Sequence, residues 1–236
     1  FLKEKGTLNL SANISQVCDE FNTSFGRFEC LHGVGHGVLA YVDYDMPESI
    51  SVCALLDSDY SRSACLGGMF MENIVTAQGR GNSPGHTTAW ANQDPHFPCN
   101  AISKDYTTQY QCYQMQTSWM LTLFNYDFDR VKEECLKAPQ DMVGVCFKSF
   151  GRDASGHTLR NPQKIVEICG KISNVQIYYD ECVTGAVNVI IDFWGGGLKD
   201  QTNELCRLLP ELGKNACYST VAYRLRDVFS ADLERQ

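Results

Sequence analysis

Six segments of the chain repeat one pattern of apolar and polar positions. Each opens on a cysteine, and they read CLHGVGHGV, CLGGMFMEN, CYQMQTSWM, CFKSFGRDA, CVTGAVNVI and CYSTVAYRL. One residue after the cysteine stand Leu31, Leu66, Tyr113, Phe147, Val183 and Tyr218. Four after stand Val34, Met69, Gln116, Phe150, Ala186 and Val221; eight after stand Val38, Asn73, Met120, Ala154, Ile190 and Leu225. Only Gln116 and Asn73 interrupt these apolar columns. Offsets of one, four and eight share one face of an α-helix, so each segment predicts a helix with a buried stripe. Three residues after the cysteine the side chain is small (Gly33, Gly68, Ser149, Gly185, Thr220), with Met115 the exception. A neighbouring helix is expected to come close there.

A second helix is expected before each of these, in stretches such as SANISQVCDEF, NPQKIVEICGKI and QTNELCRLL. Turn material separates the two arms: Asn22-Thr23-Ser24, Asp57-Ser58-Asp59, Pro139-Gln140-Asp141 and Pro210-Glu211-Leu212-Gly213. The 12 cysteines follow the same rhythm, with gaps of 12, 23, 12, 34, 13, 23, 11, 23, 13, 24 and 11 residues. Alternating short and long gaps predict six local disulfides: Cys18–Cys30, Cys53–Cys65, Cys99–Cys112, Cys135–Cys146, Cys169–Cys182 and Cys206–Cys217. No pair is close enough for a CxxC metal or redox motif. Loops this short each contribute about 3 kcal/mol in the chain-entropy picture.

The expected fold is therefore all-α: a single α-solenoid domain over 1–236, of about six antiparallel helical hairpins, each with one intra-hairpin disulfide. The hairpins are expected around 10–42, 48–76, 99–126, 128–155, 162–194 and 200–229. Their period of about 35 residues is that of helical-hairpin repeats. The layout resembles secreted, disulfide-stapled helical-repeat proteins of the tetratricopeptide or Sel1-like kind, in period, hairpin form and cysteine pairing. The tetratricopeptide Trp-Leu-Gly-Tyr pattern is absent. The resemblance implies a curved solenoid with an inner groove and a binding role, and brings no catalytic residues with it.

Composition narrows the function classes. The 236 residues are 44% hydrophobic, enough for a packed core and too much for a disordered chain. The net charge of -8, without a basic run, argues against nucleic acid, which needs clustered Lys and Arg. No stretch of 18 apolar residues predicts a membrane span. Six disulfides place the chain in an oxidising compartment: secreted, periplasmic or lumenal. Sequons at Asn9, Asn13 and Asn22 are compatible with glycosylation there. Phe1-Leu2-Lys3-Glu4-Lys5 has neither region of a signal peptide, so the expectation is a chain that starts after processing or as a fragment.

Two departures from the repeat carry the candidate chemistry. The gap of 34 after Cys65 marks an insertion, the loop 77–98, with His86, Trp90, Asp94 and His96. Insertions in repeat arrays often lie on the binding face. The second departure is His32-Gly33-Val34-Gly35-His36-Gly37, where three glycines weaken a helix by about 1 kcal/mol each. His32 and His36 share a helix face at i,i+4, a spacing that can chelate a metal. Glu72 could add a carboxylate, and His86 or His96 could fold over from the insertion. This set suits one transition metal, copper or zinc. The competing reading is glycine-mediated packing with ordinary hydrogen-bonded histidines.

A polar strip is also expected two and six residues after the cysteines, including Gln114, Lys148, Arg152 and Asn188. Lys148 and Arg152, one turn apart, could hold a small anionic ligand, and the groove as a whole a protein or peptide. Asp153 stands ready to neutralise Arg152, and a plain solvated helix face is the alternative. Two functions follow: a binding or assembly module with a polar groove and a His-rich site, or a metal-dependent enzyme or metal-binding protein using His32, His36 and the insertion.

Overall fold

The computed structural model describes residues 2, 6–7, 9–81, 85–172, 174–194 and 199–233, and among these the regular elements are all helical. All six expected disulfides are formed. The chain divides into two compact units, Phe1–Trp119 and Met120–Gln236.

The first unit holds α1 (Leu10–Cys18), α2 (Ser24–Tyr41), α3 (Met46–Cys53), α4 (Asp59–Ala77) and most of α5 (Tyr106–Leu123). Side chains set the helix starts: Thr23 accepts from Gly26 N, Asp45 from Glu48 N and Ser58 from Ser61 N, the usual way to satisfy orphan N–H groups. Cys18–Cys30 staples α1 to α2, and Cys53–Cys65 staples α3 to α4. The third pair differs from expectation. Cys99 lies in a run of turns over 95–101, not in a helix. Pro95 and Pro98 remove two of the N–H groups a helix would use there. Cys99–Cys112 therefore ties a turn segment to α5.

The second unit holds α6 (Phe128–Cys135), a 3-10 turn (Gln140–Met142), α7 (Val143–His157), α8 (Pro162–Gly170), α9 (Gln176–Trp194), α10 (Lys199–Leu208) and α11 (Glu211–Leu233). Its three disulfides join α6 to α7, α8 to α9 and α10 to α11. Its core is built on Phe147, Phe150, Ala154, Val183, Ala186 and Ile190, all buried. The last repeat is the exception: Tyr218, which should share their stripe, is exposed.

Each unit contains one very close helix crossing made by two glycines. In the first, α2 meets α4: a Cβ on Gly35 would stand 1.9 Å from Cys65 O, and one on Gly68 1.9 Å from His32 O. In the second, α7 meets α9: a Cβ on Gly151 would stand 1.8 Å from Cys182 O, and one on Gly185 1.9 Å from Lys148 O. The expected close approach at offset three holds for Gly68 and Gly185. It fails for Gly33, which has no neighbour within 4 Å. The first partner of each crossing instead uses the glycine five residues after its cysteine, because two crossing helices present different points of the turn to one another.

The exits of α2, α5 and α7 share one backbone device. Asp43 and Tyr44, Asn125 and Tyr126, and Leu159 and Arg160 are all left-handed, with φ between 52° and 64°. The second of each pair donates its N–H back to the helix, Tyr44 to Leu39 O, Tyr126 to Leu121 O and Arg160 to Ser155 O. The next residue (Asp45, Asp127 or Asn161) then caps the following helix.

Candidate functional site

The α2–α4 crossing brings the imidazoles of α2 against α4. Gly67 leaves room for them: a Cβ there would stand 3.3 Å from His32 Nδ1. His32 Nε2 lies 3.4 Å from Met71 Sδ. One turn on, His36 Nδ1 lies 2.8 Å from Glu72 Oε2. The two rings are edge to face at 5.1 Å, and Phe28 stacks on His32 at 5.7 Å. Both histidines are half-buried.

Glu72 is only 4% exposed, so its oxygens need partners inside the protein. Tyr44 Oη donates to Glu72 Oε1 at 2.9 Å. Thr76 Oγ1 donates to Tyr44 Oη at 3.0 Å, behind it. The left-handed pair Asp43-Tyr44 turns the chain back beneath α4 and so buries the tyrosine. A carboxylate can only accept, so His36 Nδ1 carries the hydrogen, and in the neutral ring the lone pair then sits on Nε2. A buried carboxylate that fixes a histidine tautomer is the usual support for a metal ligand or a base.

His86 and His96 stay apart from this pair. His86 packs on the Tyr44 ring at 5.2 Å, with Nδ1 3.8 Å from Asp43 Oδ1. His96 Nδ1 lies 3.2 Å from Tyr113 Oη. Burial and the nearby Asp94 push that tyrosine hydroxyl up to about 12. Among the described residues, no three His, Cys, Asp or Glu side chains are grouped to hold a metal ion. Glu72 faces His36 through one oxygen and Tyr44 through the other, so it stands behind the imidazole as its support.

Where it is described, the insertion is hydrogen-bonded to α4 and α5; residues 82–84 of the expected loop lie outside the described residues. Asn73 Nδ2 donates to Trp90 O at 2.9 Å, and Asn73 Oδ1 accepts from Thr88 Oγ1 at 2.6 Å. Gln116 Nε2 donates to Pro95 O at 2.8 Å and Phe97 O at 2.9 Å. Asn73 and Gln116 are each 1% exposed. The two polar interruptions of the apolar columns thus both hold the loop, beside Trp119, whose Nε1 donates to Asn92 O at 2.9 Å. Their place in those columns was the signal available in the sequence. Met71 gave no such signal, since a thioether on a helix reads as packing.

Of the strip residues, Gln114 belongs to the first unit and Lys148, Arg152 and Asn188 to the second. Gln114 Nε2 donates to Tyr110 Oη at 3.1 Å. Arg152 donates to Asp153 Oδ1 from Nε at 3.1 Å and from Nη2 at 2.9 Å. Lys148 stands close enough to Glu181 and Asp192 to oppose the upward push that burial gives both carboxyls. Asn188 Oδ1 is buried without a hydrogen-bond partner among the described residues. This strip is largely compensated within itself.

Comparison with known protein families, curated proteins and solved structures finds no match. The likeness to tetratricopeptide and Sel1-like proteins therefore stays at the level of paired, stapled helices.

Proposed function

We propose that this chain is a helical-repeat binding module of an oxidising compartment, and that it binds a transition-metal ion through His32 and His36. The observation that carries this reading is the His36–Glu72 contact at 2.8 Å, with Glu72 buried and braced by Tyr44. Burying a carboxylate costs several kcal/mol unless it is well bonded. A fold that does so beside a half-buried histidine gains a fixed Nε2 lone pair. The glycines add to the case. They weaken α2, and they let α4 reach the histidines closely enough for Met71 and Glu72 to touch them.

The test is metal analysis of the protein purified without chelator, beside His32→Ala and His36→Ala. About one equivalent in the wild type, lost in both variants, supports the reading. A wild-type protein that takes up no copper or zinc on dialysis against either ion overturns it.

Capture of a peptide or small anion along the polar strip is the second reading. Lys148 and the buried Asn188 Oδ1 favour it; the hold of Asp153 on Arg152 weighs against it. It expects Lys148→Ala to weaken capture with no loss of metal.

A further inference from the structure

The geometry points to a soft, monovalent metal ion of the copper(I) class, bound by His32 Nε2, His36 Nε2 and Met71 Sδ, with Glu72 as the outer support. This inference rests on the metal reading above and names the ion's class and its third ligand.

Four observations combine. First, His32 Nε2 and Met71 Sδ stand 3.4 Å apart, a hydrogen bond when the ring hydrogen is on Nε2 and a ligand pair when it moves to Nδ1 as an ion enters. With bonds of roughly 2.0 Å to nitrogen and 2.3 Å to sulfur, two ligands of one tetrahedral ion stand about 3.5 Å apart. The pair is already spaced as neighbours in one coordination shell. Second, His36 follows His32 by one turn with the rings at 5.1 Å, and Glu72 commits its Nδ1, leaving Nε2 to the ion. Third, Glu72 is held by Tyr44 on its other oxygen, so the inner set has no negative ligand. Fourth, all twelve cysteines are in disulfides, so no thiolate can join it.

Two neutral imidazoles and a thioether suit a soft ion of low charge. Imidazole suits zinc and copper alike, and it is the thioether that turns the set towards copper(I). Methionine is also the soft ligand that survives where thiols are oxidised, short of sulfoxide formation. No electron transfer is involved: the ion enters and leaves as the monovalent species.

The experiment titrates silver(I), a redox-inert stand-in for copper(I), and separately zinc(II), into the full chain carrying methyl-labelled methionine. One equivalent of silver(I) is expected to shift the Met71 methyl resonance and histidine ring signals. Met71→Leu keeps the side chain's volume and is expected to weaken silver(I) at least about tenfold; Glu72→Gln, which alters only the outer support, about 10–100-fold. Equal silver(I) affinity in Met71→Leu and wild type overturns the inference. So does zinc(II) binding tighter than silver(I) with the Met71 methyl unmoved, a result that leaves the metal reading standing. Failure of both ions to bind overturns the two together.

Discussion

Gly68 lies so near His32 that a Cβ on the glycine would stand 1.9 Å from the histidine's carbonyl oxygen. The collision is with backbone, so no rotamer change relieves it. Gly68→Ala is expected to force α2 and α4 apart and to cost about 3 kcal/mol, at the upper end of overpacking penalties. Gly33→Ala is the control: nothing lies within 4 Å, and it should gain about 0.5–1 kcal/mol from a better helix former. Thermal unfolding of the two variants measures both signs.

Tyr44→Phe removes the donor to Glu72 Oε1 and leaves Thr76 without its acceptor on the ring. The expected cost is about 1–3 kcal/mol, the range for a bond to a buried charged group. A double-mutant cycle with Glu72→Gln should be clearly non-additive, because the two side chains share one interaction. Additive denaturant midpoints would show that the contact contributes nothing.

Asn73 and Gln116 hold the insertion by its backbone. Asn73→Ala and Gln116→Ala should each speed proteolytic cleavage within 85–98, with cuts elsewhere unchanged. Limited proteolysis followed by mass mapping of the fragments gives the answer.

The disulfides are not equivalent in what they join. Cys53–Cys65 ties two helices, and Cys99–Cys112 ties a turn segment to α5. With sequence separations of 12 and 13, chain entropy assigns each about 3 kcal/mol. Replacing the first pair by alanines should lower the unfolding midpoint of the first unit. Replacing the second should chiefly raise hydrogen exchange over 95–105.

Lys171 hydrogen-bonds Asp129 at 2.6 Å and holds its carboxyl below the ordinary aspartate range. A lowered folded value means stability that is present above the usual aspartate range and lost as pH falls through the folded value. Lys171→Ala should therefore cost less than about 1 kcal/mol at neutral pH, since the pair is exposed, and the difference should vanish in acid. Glu181 has the opposite sign. Burial raises its carboxyl, so any advantage of Glu181→Gln should be greatest at neutral pH and shrink as pH falls. Unfolding curves across the acid range test both.

The disulfides and the helix pairs were legible because one physical rhythm, a cysteine followed by apolar offsets of one, four and eight, was written six times. The third pair was less so, because Pro95 and Pro98 break a helix that the cysteine spacing alone would allow. Of the candidate metal residues, His32 and His36 do stand ring to ring and Glu72 bonds His36, since i,i+4 spacing and adjacent hairpins leave little freedom, but the three are not grouped around one point. His86 and His96 come from the insertion, and no periodicity says where a loop side chain lands. Lys148 and Arg152 were readable as a pair. Asp153 was readable beside Arg152; Glu181 and Asp192, the acids near Lys148, sit on α9, whose register only packing reveals.

The left-handed exits after α2, α5 and α7 have a consequence for how such a chain can change length. Each leaves its helix in the same conformation and enters the next through an Asp or Asn cap. A stretch cut between two of these joints would present matching ends, like links of a chain with one common clasp. Whole segments could then be lost or duplicated without remaking the junction, while the residues that bear chemistry drift independently from copy to copy.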